Sequence, residues 1–556
     1  MKKIFLQLCA LASAVFLAFG ATACGPEKID GGVEIDKNKT QIYFRCFAGG
    51  FGKDYANYFA EEWNKTQEKY QVIPITEKFE YSVDLQPNWA IGNFENMDIV
   101  LAENLPVREA AKLGYIMDIS GVWTSSAPDE SGSIEGKMLN GDEYKEIFTV
   151  NGAQYSIPFY ETLSGLVFDK DTFKQNGLLF GQNGTLISSP DEKLSAGKDG
   201  IEGNYDDGFP VNMSQWGAFA AKSSMLANTK LFLYPGGLPY YTTLVPETLV
   251  AIYEGVDNYM LNYLEEGTYD HDGVSLPQGV SSSFLADGTD ITVSEGYKVY
   301  QMAGRYYAYD FIKRYMTSTQ YCHPSTGISN RTQLEAQAEY IEGNVAPTGT
   351  NNRALFILEG NWWENEARGY FSTYNNTDYA YGKRDFSVMA LPAFEAEGGL
   401  LNDKNVYYSG NYGSIVVTKQ TDAAKLEKIK EFIKFLFKEE NLRYFNTTTG
   451  GLLPYEYTLQ PSDLESMTKY AKNVYEIYHS DSTVILRSGV YSQYEDYSLG
   501  KIGIFNSQLP SGASTPYPVP SLRSVDAKTY FEGHAQLYNS VNWNSVLSLI
   551  NAGKGN

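Results

Sequence analysis

Histidine and cysteine are nearly absent from this chain, with four of each in 556 residues. His271, His323, His479 and His534 are scattered, and no CxxC or Cys/His cluster occurs, which excludes structural zinc and c-type haem on pattern. Basic residues are also scarce, 44 Lys and Arg against 67 Asp and Glu, for a net charge of −23. That balance excludes nucleic acid as a partner, because phosphates must be neutralised by Lys and Arg. Missing too are the GxSxG, HExxH and GxxxxGK[ST] patterns of hydrolases, metallopeptidases and nucleotide enzymes. The nearest approach to a nucleotide loop, "FAGGFGKD", has Phe47 in place of the first glycine and Asp54 in place of the magnesium-binding hydroxyl. No enzyme is expected. One alternative survives, a surface glycoside hydrolase or lyase, since a catalytic carboxylate pair leaves no sequence signature.

What is abundant is tyrosine, 44 residues, together with 7 tryptophans. The length implies more than one core. Lys2 and Lys3 precede a mostly apolar run, Ile4–Phe19, and then "GATACG". This reads as a secretory signal over 1–23 that ends in a lipobox-like cleavage site, with Ala21 where leucine is usual. Cys24 is then the lipidated first residue, and 24–39 is a polar tether to the outer face of a bacterial membrane. With Cys9 removed and Cys24 lipidated, only Cys46 and Cys322 remain, and nothing in their spacing marks a disulfide.

Strand-like runs alternate with amphipathic helices from Gln41 onward: "QIYFRCF", a helix through "DYANYFAEEWNK", "QVIPI", "MDIVLA", then a helix near Val107–Leu113. That order indicates a parallel α/β sheet. Ligands sit at the carboxyl ends of such strands, which points to the loops after Phe47 and Ala102. There, Gly49, Gly50 and Phe51 suit close approach to a ligand, and Glu103 suits hydroxyl recognition. "LYPGG" offers Tyr234. The periodicity of "DAAKLEKIKEFIKFLFKEENLRYF" predicts one helix ending near Gly450, and Tyr297–Tyr315 reads as another whose tyrosine stripe belongs in a core.

Two local patterns carry more specific chemistry. Asp199, Glu202, Asn204, Asp206 and Asp207 fall within nine residues among glycines, a composition suited to a structural calcium loop, although Asx-Gly turns use the same letters. In "RALFILEGNWWENEA" an apolar strand ends in Gly-Asn-Trp-Trp. Asn361 and Glu364 have capping-box spacing, which predicts Trp362 and Trp363 on the first turn of a helix at the strand's carboxyl end. Adjacent helical residues diverge by about 100°. One indole should therefore face a ligand, where its ring suits the C–H face of a sugar, and the other should pack.

Taken in order, "GGFGKDYANYFAEEWNK", "GAQYSIPFYETLSGLVFDKDTF", "ALFILEGNWW", "FSVMALPAF" and "KIKEFIKFLFKEENLRYFNTTTGGLLP", with the lipobox-like Cys24, resemble the extracellular solute-binding proteins (family 1) of ABC importers. The resemblance implies a two-lobed, periplasmic-binding-protein-like α/β fold of type II, with hinge-linked lobes around a ligand cleft. It implies one lobe at 40–156 plus 394–453 and the other at 157–393 plus 454–556, with hinges at Tyr155–Pro158 and Met389–Pro392. It adds Tyr160, Glu161, Asn411 and Tyr412 as ligand contacts and favours Trp363 as the stacking ring. It further implies a carbohydrate ligand (a neutral oligosaccharide first), no required cofactor, ABC permease subunits as partners and a monomeric protein. A surface glycan sensor without transport is the closest alternative.

Overall fold

The structure is a computed structural model that describes residues 33–264, 266–274, 279–280, 284–348, 352–492 and 517–554. The expected leader, Cys24 and the tether to residue 32 lie outside the described residues. Residues 33–39, expected to belong to that tether, are instead held against the first lobe. Val33 joins its core, and Gln71 both donates to the Glu34 carbonyl and accepts from the Asp36 amide.

Two mixed sheets organise the chain. The first has strands β1 (Thr40–Phe47), β2 (Tyr70–Glu77), β3 (Ile99–Glu103), β4 (Ile157–Glu161) and, from far along the chain, Tyr412–Val417. In β1 buried residues alternate with partly exposed ones, and in the helix Asp54–Asn64 that returns to β2 the buried residues are Tyr55, Ala56, Phe59, Ala60 and Trp63. That helical spacing lays one apolar stripe on the sheet. β1 pairs in parallel with β2 and β3, whereas Tyr412–Val417 runs antiparallel between β3 and β4.

The second sheet centres on β5 (Ser164–Asp169), flanked by Arg353–Gly360 on one edge and by Phe386–Met389 with the end of Asn405–Tyr408 on the other. Thr229–Leu233 and Thr483–Leu486 complete its two sides. Both faces are covered by apolar side chains, which explains why "ALFIL" is a continuous hydrophobic run and not an alternating one.

The lobe boundaries differ from those expected. β4 pairs with Tyr412–Val417 and so belongs to the first sheet, while Asn405–Tyr408 pairs with Thr483–Leu486 in the second. The chain therefore crosses between sheets at Thr162–Leu163 and returns at Ser409–Asn411, a few residues beyond Tyr155–Pro158 and well beyond Met389–Pro392. It crosses a third time, back to the second sheet, between Glu439–Thr449 and Thr483–Leu486. The first two crossings are tied to each other. The Thr162 amide and hydroxyl both donate to the Asn411 carbonyl, at 3.1 and 2.8 Å.

Helix ends also depart locally. The long helix expected to stop at Gly450 breaks at Lys438, which is extended (φ −62°, ψ 139°), dividing Ala423–Leu436 from Glu439–Thr449. Phe437, buried at the break, packs on Phe159 and Tyr455, and the Asn441 side chain occupies the Phe435 carbonyl. Gly450 ends the second helix in the left-handed conformation (φ 71°), as its position suggested. The Tyr297–Tyr315 stretch is interrupted at Met302 (ψ 130°), and its tyrosines pack inward, Tyr300 stacking on Tyr538 at 3.7 Å.

A buried charge pair sits in the second lobe. Glu254 precedes Gly255, whose φ of 78° interrupts the helix Leu244–Leu264. Its carboxylate accepts from the Tyr269 hydroxyl and the Gly304 amide, both at 2.6 Å. His271 Nδ1 lies 3.1 Å from the same carboxylate and Nε2 2.9 Å from the Gly398 carbonyl, so both ring nitrogens face acceptors. Burial works against the charged ring, but the Glu254 carboxylate and Gly398 carbonyl outweigh it and raise the His271 pKa above its ordinary value. A raised folded pKa contributes stability that is present below the unfolded value of about 6.5 and is lost as pH rises through the folded pKa. Urea melts between pH 5.5 and 8.5 should show the wild-type advantage over His271→Gln shrinking as pH rises. An advantage independent of pH would place a neutral ring there.

Candidate ligand-binding cleft

The carboxyl ends of β1 and β3 in the first lobe and of Arg353–Gly360 in the second open onto one cavity of about 840 Å³, floored by the crossing residues Thr162, Gly410 and Asn411. That volume lies in the range of small-molecule sites. From the first lobe come Phe47, Gly50, Phe51, the Lys78–Glu80 loop and Glu103. From the second come Tyr240, Tyr241, Glu247, Glu359, Trp362 and Glu366.

The tryptophan doublet is divided, but in the opposite sense to that expected. Trp363 is fully buried, with its ring against Tyr340, Phe371, Phe386 and Tyr470 at centroid distances of 5.1–5.9 Å. Trp362 is half-buried and lines the cleft. Its ring folds back over Gly360, where a Cβ would fall 2.2 Å from the indole, and abuts Gly50, where a Cβ would come within 2.7 Å. Both glycines are required by this approach. The expected capping box does not form either. Asn361 spends its side chain on the Leu163 amide and the Gly450 carbonyl, and Glu364 on the Thr468 hydroxyl, which leaves Trp362 as the residue before the short helix Trp363–Glu366. Asn365, on that helix, donates across the lobes to the Gly50 carbonyl at 2.7 Å.

Other expected contacts separate into two groups. Gly50, Phe51, Glu103 and Asn411 do line the cleft. Glu103 accepts from the Tyr160 hydroxyl at 2.9 Å, and burial, outweighing that hydroxyl, pushes its carboxyl up to about 7. Tyr160 lies one layer below, buried between Phe51 and Phe445. Tyr412 is fully buried with its hydroxyl on the Leu105 carbonyl, because it starts a strand in the middle of the first sheet. Glu161 is buried in an ion pair with Arg487 at 2.6 Å and accepts from Tyr478, so it joins the lobes and does not face the cavity. Tyr234 is buried in the second lobe, donating to the Met316 carbonyl.

The acidic loop uses part of its carboxylate capacity internally and leaves Asp206 Oδ1 and Asp207 Oδ1 without a partner among the described residues. Asp199 accepts from the Ile201 amide and the Asn204 side chain, Asp207 from the Gly203 amide, and Asp206 from the Lys198 amide and the Asn405 side chain. Glu202 turns outward to Lys193 and Gln182. These are Asx-type turns, and among the described residues no three His, Cys, Asp or Glu groups come together in a way that could hold a metal ion.

Several cleft residues carried no distinct sequence signal. Tyr240 and Tyr241 form a tilted pair (5.2 Å) in "LPYYTT", a doublet that composition alone could have flagged. Glu359 had a better one: an acid inside an otherwise apolar buried strand needs a reason. Among the described lining residues six are carboxylates and one, Lys78, is cationic. Burial pushes Glu247 up to about 7 despite the Tyr259 hydroxyl beside it, and burial followed by the Glu366 charge raises Glu359 well above the carboxylate range. The cavity is therefore aromatic and rich in hydrogen-bond acceptors, with contributions from both lobes. Among the described residues that line it, no nucleophile is paired with a base.

The model of the bacterial extracellular solute-binding protein family matches residues 59–473. No curated protein sequence matches the chain. Among solved structures, a chitin oligosaccharide binding protein superposes with a TM-score of 0.57 at 12% identity, covering 91% of this chain and 99% of that one. A structure from a study of xylan utilisation by the thermophile Caldanaerobius polysaccharolyticus gives 0.56 at 14%, covering 90% and 100%. Apo RafE from Streptococcus pneumoniae gives 0.51 at 13%, covering 94% and 100%. At such identities these likenesses speak for the fold.

Proposed function

The chain belongs to the bacterial extracellular solute-binding protein family, and from that membership we propose that it captures an oligosaccharide between its lobes and delivers it to the permease of an ABC importer. It is a binding protein and not an enzyme. The observation that carries the ligand class is the cleft itself, where the half-buried face of Trp362 and the Tyr240–Tyr241 pair lie among carboxylates that accept hydroxyl hydrogens. RafE in complex with raffinose and maltose-bound MalE3 of T. maritima share the fold and support the same class.

The mechanism is ligand-stabilised closure. A ligand that touches Phe51 and Glu103 on one side and Trp362 and Tyr241 on the other favours the closed form by its differential affinity. Micromolar binding supplies about −8 kcal/mol, enough to bias hinge-linked lobes. A series of oligosaccharides should include one that raises the melting temperature and contracts the particle in small-angle scattering. If every member stabilises nothing, or any is hydrolysed, the reading fails. Membrane attachment follows from Cys24 in this reading. Cys24→Ser should move the protein from the membrane fraction to the medium, and unchanged fractionation would remove the lipid anchor from it.

A further inference from the structure

Glu359 has no evident function in holding the second lobe together. It is the acid that ends the apolar run Ala354–Leu358, it is 1% exposed, and it lines the cleft. Its Oε1 accepts from Gln337 Nε2 at 3.1 Å, and the same amide nitrogen donates to Glu366 Oε2 at 2.7 Å. One neutral amide thus serves two carboxylates. Among the described residues Glu359 Oε2 has no hydrogen-bond partner of good geometry, although the Gly360 amide and the Trp362 side chain bear on the same carboxylate. A buried acceptor left in this state is costly, and an ionised one more so. Without a ligand the carboxyl is relieved by holding a proton, as burial and Glu366 favour, and a cation from outside the protein would instead complete it as a carboxylate.

The surroundings specify what that group is. Among the described lining residues six are carboxylates and one is a lysine, so these residues carry an excess of acid over cation. The acids are spread along the cleft, and among the described residues no three converge on a metal-sized point. An extended organic ligand fits that spread. A sugar hydroxyl offers one donor but brings two acceptor lone pairs toward the carboxylates, whereas an ammonium brings three donors and no acceptor. The rings of Trp362, Tyr240 and Tyr241 add surfaces that attract a cation as well as the C–H face of a sugar.

We propose that the ligand is an amino sugar, with a free protonated amine seated on Glu359 and Glu366 beside Trp362. This rests on the oligosaccharide reading above and narrows it. Titration calorimetry at 0.3 M salt, where charges are screened beyond roughly 6 Å, tests it with glucosamine oligomers, their N-acetylated counterparts, neutral gluco-oligomers and spermidine. The expected result is that glucosamine oligomers bind at least about ten-fold more tightly than the N-acetylated or neutral series. In Glu359→Gln that preference should fall to near parity, with the unliganded melting temperature unchanged or raised. Equal or tighter binding of the neutral or N-acetylated series overturns the amino-sugar proposal and leaves the oligosaccharide reading intact. A preference retained in Glu359→Gln overturns it as well, since that variant keeps the shape and removes the charge. If no oligosaccharide binds, or spermidine alone does, the oligosaccharide reading falls and the proposal falls with it.

Discussion

Alanine at Trp363 is expected to cost the second lobe about 3–5 kcal/mol, because the substitution empties a fully enclosed site among four aromatic neighbours. For a lobe of this size that corresponds to a fall in melting temperature of roughly 5–8 °C. Alanine at the preceding residue should behave in the opposite way. Trp362 is half-buried and exposes its ring to the cleft, so Trp362→Ala should leave the unliganded melt little changed. It should weaken ligand binding by about 2 kcal/mol, roughly 30-fold, the size typical of an aromatic anchor. Calorimetric melts and ligand titrations of the two variants separate these effects completely. Binding lost in a stable Trp363→Ala protein, with Trp362→Ala unaffected, would reverse the assignment.

The second large effect is expected at the junction of the lobes. Glu161 ends the first-sheet strand Ile157–Glu161, while Arg487 follows the second-sheet strand Thr483–Leu486. Their 2.6 Å contact is closed off by the Tyr478 hydroxyl, with Glu143 3.9 Å from the guanidinium. Glu161→Ala strands a guanidinium whose side chain is only 11% exposed, and removal of one partner from such a pair costs about 3–5 kcal/mol. The double variant Glu161→Leu, Arg487→Met should recover most of that loss, because two apolar side chains no longer need each other. Chemical denaturation of the two single variants and the double variant measures the coupling directly. Additive losses would show that the two charges are stabilised separately.

The lobe junction also shows where sequence reasoning stops. The strand Ile157–Glu161 and its neighbour Ser164–Asp169 are contiguous apolar runs, and both were legible as strands. Which sheet each joins was not, because that is decided by pairing with Tyr412–Val417 and Arg353–Gly360. The expected hinge was displaced for this reason alone. The same holds at Asn361, whose spacing to Glu364 matched a capping box. In the folded protein the nearby Leu163 amide and Gly450 carbonyl take its side chain instead. The acidic glycine-rich loop spelled calcium and turns equally well, and the backbone amides within it took the carboxylates.

The local elements are written directly in the chain: the strand–helix alternation after Gln41, the apolar stripe of Asp54–Asn64, the stop at Gly450, and the order of segments that marks the family. Each of these is written within a few residues, in periodicities of two or 3.6. The folded structure alone sets which indole faces the cleft, which carboxylates share it, and which acceptors surround His271. Those outcomes depend on residues dozens to hundreds of positions apart, from Phe51 and Glu103 to Tyr241 and Glu366, and from Glu254 to Gly398. They meet only when the chain's crossings bring the two sheets together across the cleft.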